Sequence, residues 1–282
     1  MVTLIIGGSG QLGQELGKLI KDSILTFSSR PIEGGIYLDT RDYIRVEDLI
    51  MKTKPEVIIN TSAITDVDKC EVDRINAHSV NSLAVKHMVR AASITKSYFV
   101  QISTDYVFDG NRGNYNEDDL PNPLNYYGLT KLLGETYSLS YDYSLVIRTS
   151  GIYGSNKENF PLYVLKSLEK GSKVRAVWDM YYSPINVKQL AEAIVQLLPL
   201  RKTGILNIAG DRISRYDLAL KIAKMSSLNE NLIEAASYEE MSWRAKRPKD
   251  SSLDSSTVKK YVSVNLSLEE GLRRLINDVQ NK

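Results

Sequence analysis

Val2-Thr3-Leu4-Ile5-Ile6-Gly7-Gly8-Ser9-Gly10-Gln11-Leu12-Gly13 decides how the rest of the chain is read. Five apolar or β-branched residues in a row suit a strand buried on both faces, the kind found in parallel sheets. Gly7, Gly10 and Gly13 follow with the spacing G-x-x-G-x-x-G. From Gln11 to Lys21 the apolar positions 12, 16, 19 and 20 fall on one helical face. Strand, glycine turn and helix in this order predict a phosphate cradle. Glycine lets the backbone approach a pyrophosphate closely, and the free amides and positive dipole end of the helix attract the anion.

Outward from this unit, strands and helices alternate. Ile24–Phe27, Ile36–Leu38, Val57–Ile59, Tyr98–Ile102 and Leu145–Ile147 read as strands; Ile44–Lys52, Asp73–Ser93 and Tyr126–Leu139 read as helices. The pattern predicts an α/β fold, a Rossmann-like doubly wound parallel sheet. After residue 150 it weakens. Helices are expected over Phe160–Glu169, Val187–Leu198 and Tyr216–Met225, and strands over Val174–Val177 and Ile205–Ile208. The expected division is a dinucleotide-binding domain over 1–150 and a smaller C-terminal substrate-binding lobe over 151–282. No linker-like composition separates them, so the lobe is expected to interleave with the main sheet. The polar ends Asn60-Thr61-Ser62 and Ser103-Thr104-Asp105 fall at carboxyl ends of strands, where ligands sit in open α/β sheets.

Composition narrows the function classes. The 282 residues are 43% hydrophobic and 25% charged, which suits a globular chain with a large core. A net charge of +2 implies no polybasic surface for nucleic acid or membrane. Cys70 is the single cysteine, which excludes an intrachain disulfide, fits a reducing compartment and makes a zinc site unexpected. The apolar run Val2–Ile6 is too short for a signal peptide or a membrane span. A soluble, cytoplasmic protein is the expectation.

Tyr127-Gly128-Leu129-Thr130-Lys131 carries the acid–base chemistry. Four residues apart on a helix, Tyr127 and Lys131 share one face. A phenol ordinarily titrates near 10, and a neighbouring ammonium favours the phenolate. The pair is thus expected to exchange a proton with a carbonyl or alcohol at neutral pH. With 17 tyrosines and 36 Lys and Arg in the chain, chance alone supplies roughly two such spacings, so the surroundings matter. After the second strand come Ser28-Ser29-Arg30, with no carboxylate before Glu33. An Arg there suits the 2′-phosphate of NADPH, while NADH, which usually meets an acidic residue, stays open. Asp39, after the third strand, is a candidate adenine contact.

Ser103-Thr104-Asp105-Tyr106-Val107-Phe108-Asp109-Gly110, then Pro123-Leu124-Asn125-Tyr126-Tyr127-Gly128-Leu129-Thr130-Lys131 and Gly134-Glu135, resemble the dTDP-4-dehydrorhamnose reductase family of extended short-chain dehydrogenase/reductases. Val67-Asp68-Lys69, Arg148-Thr149-Ser150, Asn159-Phe160 and Arg247-Pro248 extend the resemblance over nearly the whole chain. It implies NAD(P)H-dependent reduction of the C4 ketone of dTDP-4-dehydro-6-deoxy-L-mannose to dTDP-L-rhamnose. Tyr127 would be the acid, Lys131 would hold the nicotinamide ribose and stabilise the phenolate, and Thr104 would polarise the carbonyl, with Ser103 as the alternative hydroxyl. Gly10, Gln11, Leu12, Arg30, Asp39, Thr40, Ser62, Ala63 and Ile64 would contact the cofactor. Thr104 and Asp105 would face the sugar, and Tyr106 would shape its pocket.

The chain also departs from the pattern. The family's Arg-Thr-Ser is followed by a Trp that contacts the sugar nucleotide, and here the residue is Gly151. The family's Asp-Gln-x-Gly-x-Pro-Thr becomes Asp179-Met180-Tyr181-Tyr182-Ser183-Pro184-Ile185. Trp178, Tyr181 and Tyr182 are candidates to fill the space. Some members bind Mg²⁺ at a dimer interface through carboxylates. Glu15 matches one position, but Lys188 stands at the other, so no metal site is expected and Glu15 is read as an exposed first-turn residue. A homodimer remains open. Two alternatives accompany the ketoreductase: a non-catalytic regulatory subunit resembling methionine adenosyltransferase β, which also lacks the Trp, and a reductase or epimerase for another nucleotide sugar.

Overall fold

A computed structural model describes residues 1–281 and places the opening apolar run at the centre of a parallel sheet. The first half of the chain runs β1 (Thr3–Ile6), α1 (Gln11–Leu19), β2 (Ser23–Phe27), β3 (Ile36–Tyr37), α2 (Tyr43–Thr53), β4 (Val57–Asn60), α3 (Val67–Val72), α4 (Arg74–His78), α5 (Ala84–Thr95), β5 (Tyr98–Thr104), α6 (Tyr126–Leu139) and β6 (Ser144–Thr149). The second half runs α7 (Phe160–Glu169), β7 (Val174–Val177), β8 (Tyr181–Tyr182), α8 (Val187–Leu197), β9 (Gly204–Asn207), β10 (Ile213–Ser214), α9 (Arg215–Met225), β11 (Ile233–Ala236) and α10 (Leu268–Gln280).

The main sheet has seven parallel strands in the order β3-β2-β1-β4-β5-β6-β9. The order reverses between β1 and β4, which opens a crevice at the carboxyl ends of those strands. Every residue of β1, β4, β5 and β6 is buried, as their largely apolar runs suit when helices cover both faces. One face carries α1 and α8, with Leu12, Leu16, Leu190 and Ile194 against Ile5, Ile59 and Ile147. The other carries α2 and α5, with Val46, Ile50, Met88 and Ala92 against Leu4, Ile58 and Phe99.

The C-terminal half contributes β9 to the edge of this sheet and then builds a second core. There α7, α9 and α10 pack Leu162, Leu165, Leu218, Ile222, Leu272 and Leu275 beside the parallel pair β7–β11. Strand β8 pairs antiparallel with β10, a separate two-stranded ribbon.

Three points differ from the sequence-based expectations. The helix expected over Asp73–Ser93 is interrupted by a π-helical stretch, Ser79–Leu83. Its buried Asn81 accepts from the Ile64 amide at 2.9 Å and donates to the Ile64 carbonyl and to Thr130, which ties the post-β4 segment to α6. π-Bulges recur at functional sites. Second, α10 went unread, although Ser267 caps it, Glu269 and Glu270 follow in the first turn, and Leu268, Leu272, Leu275 and Ile276 line one face. Third, Glu15 is buried rather than exposed, and its carboxylate receives Lys18 at 2.7 Å.

Candidate active site

The crevice holds two cavities that share Gly10, Thr61, Ala63 and Lys157 as walls. One, of about 530 Å³, lies beyond β2 and is walled by Gly7, Arg30, Asp39, Thr40, Ser62 and Ile64 among others. The other, of about 410 Å³, brings Gln11 and Leu12 together with Thr104, Asp105, Tyr127 and Lys131. The structure thus gathers all the expected contact residues except Gly13. That glycine sits beneath the turn, where a Cβ would meet the Gly7 carbonyl at 2.5 Å.

The phosphate turn is built by backbone. Gly7 has φ +85°, and a side chain there would lie 2.7 Å from the Ser62 amide, so only glycine lets β1 turn against β4. Helix α1 is preceded by Gly10 as its N-cap, which gives no side-chain cap, so the first amides keep their hydrogen-bonding capacity for another acceptor. Gln11 Oε1 and Thr149 Oγ1 are buried in the same cavity wall without a partner in the protein. A diphosphate-linked dinucleotide fits these residues: uncapped amides for the anion, and unsatisfied polar atoms along its course.

The outer cavity is electropositive. Arg30, Arg41, Lys69 and Lys157 line it, and among the described residues no carboxylate pairs with Arg30. Asp39 is not a free carboxylate. It accepts from Arg41 Nε at 2.9 Å and Nη2 at 2.5 Å, and those bonds hold its carboxyl below the usual range. Arg41 reaches Asn76 as well. Asp39 therefore positions Arg41 at the cavity wall, and Arg41, Lys69 and Lys157 are wall residues that the sequence reading missed. Their signal was only a scatter of single charges across three segments.

The acid–base group assembles where β5 meets α6. Asn125 caps α6 by accepting from the Gly128 amide at 2.9 Å and anchors it by donating to the Lys246 carbonyl at 2.9 Å. This fixes Tyr127 and Lys131 one turn apart, both buried. Thr104, at the end of β5, lines the same cavity as the Tyr127 phenol and donates to Asp105 Oδ1 at 3.0 Å. Lys131 Nζ donates to the Ile102 carbonyl at 2.6 Å.

This arrangement differs from the lysine-tuned phenol expected above. Burial pushes the Tyr127 phenol well above 10, with only a smaller opposing effect from Thr104. Burial also pulls the Lys131 ammonium down to about 8, against the attraction of Glu135. Desolvation outweighs mutual attraction because both groups lie inside the protein and the ammonium is directed at a backbone carbonyl. The phenol consequently stays protonated through the neutral range, the form a proton donor needs.

Asp105 is more than a cleft wall. Buried between β5 and the C-terminal lobe, its carboxylate accepts from Ser150 at 2.7 Å and Ser251 at 2.6 Å as well as from Thr104. Burial raises its carboxyl in spite of these bonds. Ser103, the alternative hydroxyl, donates instead to Glu135 at 2.5 Å. Glu135 forms a buried ion pair with Arg148 at 2.8 Å beneath the site. Thr104 is therefore the hydroxyl beside the phenol. The two positions compared with metal-binding members are also occupied: Glu15 by Lys18, and Lys188 by Asp278 at 2.6 Å.

A doubly wound crevice with an uncapped glycine turn at one end and a Tyr, Lys and hydroxyl set at the other defines a short-chain dehydrogenase/reductase. Comparison with known proteins takes this further. Residues 1–281 match the family described as the RmlD substrate binding domain, and the chain belongs to that family. It is 32% identical over 281 residues to a dTDP-4-dehydrorhamnose reductase of Aggregatibacter actinomycetemcomitans, covering 93% of each chain. The crystal structure of a hypothetical dTDP-4-dehydrorhamnose reductase from Sulfolobus tokodaii superimposes with a TM-score of 0.90 at 51% identity, over 96% of this chain and 99% of that one. The dTDP-4-dehydrorhamnose reductase of Bacillus anthracis, solved in complex with NADP, superimposes with a TM-score of 0.87 at 27% identity, over 99% and 100%. No described helix is long and apolar enough to cross a membrane.

Proposed function

We propose that the chain reduces the C4 ketone of dTDP-4-dehydro-6-deoxy-L-mannose to the alcohol of dTDP-L-rhamnose with NADPH. The class itself, an NAD(P)H-dependent oxidoreductase, follows from the family and the crevice. The observation that carries the finer reading is the buried set of Thr104 at the end of β5 and Tyr127 with Lys131 one turn on along α6, in the same cavity as the phosphate turn.

Gly7, Gly10, Gln11 and Leu12 would hold the cofactor's diphosphate, and Ser62, Ala63 and Ile64 would flank it. Thr40 and the Asp39–Arg41 pair would border the adenosine, and Arg30 would meet the 2′-phosphate. Without that phosphate the contact at Arg30 weakens, so NADH is the poorer donor that the same site still admits. The bound nicotinamide supplies a hydride to the ketone carbon. Tyr127 gives its proton to the ketone oxygen, so the carbonyl gains one hydride and one proton and becomes a hydroxyl. Thr104 holds the phenol beside that oxygen, and Lys131 offsets the phenolate that remains. Proton donation of this kind contributes about 10²–10⁴-fold, and fixed orientation supplies the rest.

The lobe after residue 150 would close over the nucleotide sugar, since Gly151, Ile152, Met180 and Tyr182 wall the cavity opposite the sheet ends. The test is a panel of nucleotide sugars screened for NADPH oxidation. Turnover with dTDP-4-dehydro-6-deoxy-L-mannose above all others supports the reading. Turnover confined to another 4-keto sugar nucleotide keeps the class and changes the substrate. Binding of an adenosyltransferase with no turnover on any sugar overturns it in favour of a regulatory subunit.

A further inference from the structure

Gly151 and Tyr182 are both departures from the family pattern, and the structure puts them in contact. Gly151 has φ +44°, and a Cβ there would lie 2.6 Å from Tyr182 Cε2. The family's large residue has become glycine and its glycine has become tyrosine, so the aromatic ring now enters the same space from β8. The Tyr182 ring is held firmly. It is buried in the second core, and the Arg215 guanidinium lies 5.3 Å from its centroid and 5.0 Å from that of Phe160.

Two polar atoms in this group are unsatisfied. The Tyr182 hydroxyl and Arg215 Nε are both buried without a hydrogen-bond partner. Arg215 also opens α9, where the helix dipole disfavours a cation, and no carboxylate pairs with it among the described residues. For the fold alone, Phe at position 182 would do better, because it packs the same ring and leaves no orphaned hydroxyl. Burial keeps the phenol protonated, pushed up to about 12, so it is a donor. Its ring walls the cavity in contact with Gly151, and Asp105 and Tyr106 are among the groups that act on it.

We propose that Tyr182 is the specificity-determining residue of the sugar end of the cleft. Its ring limits the size of the sugar that fits over Gly151, and its hydroxyl donates to a sugar oxygen. The inference rests on the nucleotide-sugar reading of this site and deepens it.

Calorimetric titration with dTDP and with dTDP-L-rhamnose tests it without requiring turnover. Tyr182→Phe should bind dTDP within twofold of wild type and lose about 3–10-fold in affinity for dTDP-L-rhamnose, one hydrogen bond's worth. Tyr182→Ala should lose more, and should tighten UDP-N-acetylglucosamine relative to UDP, a gain that misfolding does not produce. Melting temperatures of both variants confirm folding. Unchanged ratios of sugar nucleotide to nucleotide in both variants overturn the inference and leave the proposed function standing. A change in Tyr182→Ala alone overturns the hydroxyl contact. A wild type that binds neither sugar nucleotide overturns both readings.

Discussion

Replacing Lys131 with Met should abolish reduction while stabilising the protein at neutral pH. The ammonium is held in a site where burial lowers its pKa from the ordinary 10.5 to about 8. Keeping it charged there costs about 3 kcal/mol relative to the unfolded chain, on the order of 1.4 kcal/mol per tenfold change. Methionine removes that cost and also the hydrogen bond to the Ile102 carbonyl, a loss of about 1–2 kcal/mol. The variant should therefore gain about 1–2 kcal/mol below pH 8. The sign reverses at high pH. Between about 8 and 10.5 the unfolded chain binds a proton that the fold does not, so wild-type stability rises with pH relative to the variant. Above 10.5 Lys131 is neutral in both states and only the lost hydrogen bond remains, which leaves the variant the less stable. Urea unfolding of both proteins from pH 6.5 to 10.5 measures this. A stability difference that does not move with pH refutes the account of a buried, desolvated lysine.

Three further outcomes follow from the same geometry. Thr104→Val removes the hydroxyl beside the phenol and should lower kcat by about 10–100-fold with little change in the KM for NADPH, whereas Thr104→Ser should restore most of the loss. Arg30→Ala should weaken NADPH about tenfold and leave NADH nearly unchanged, read by fluorescence titration, because only the 2′-phosphate uses that side chain. Arg148→Met leaves the Glu135 carboxylate buried without its partner and should cost about 3–5 kcal/mol in urea unfolding, since a single buried charge is far worse than a pair.

The elements that the sequence disclosed are those whose burial is uniform. The strands β1, β4, β5 and β6 carry apolar runs in their middles because helices cover both faces, and helices α6 and α7 have the ends their caps Asn125 and Asn159 define. The glycine turn was legible because Gly7 meets a steric demand that no other residue satisfies. Tertiary partners were not. Nothing local shows that Glu15 is buried, since its partner Lys18 one turn along α1 would serve a solvated residue equally well, and Arg148 finds Glu135 across 13 positions. Asn81 gave no signal because the π-helical stretch that turns it toward Ile64 preserves a helical apolar pattern on either side. Helix α10 did carry a signal, a Ser267 cap followed by acidic residues and an apolar stripe. The effect of burial on Tyr127 and Lys131 could not be read from their spacing, since adjacency predicts attraction and only the fold reveals desolvation.

Tyr127→Phe tests the central claim most directly. The phenylalanine ring keeps the packing against Tyr106 and leaves the phosphate turn untouched, so NADPH should bind within about threefold of wild type. Oxidation of that NADPH by the 4-keto sugar nucleotide should fall by about 10²–10⁴-fold. Retention of the wild-type rate in the folded variant would contradict the assignment of this phenol as the proton donor.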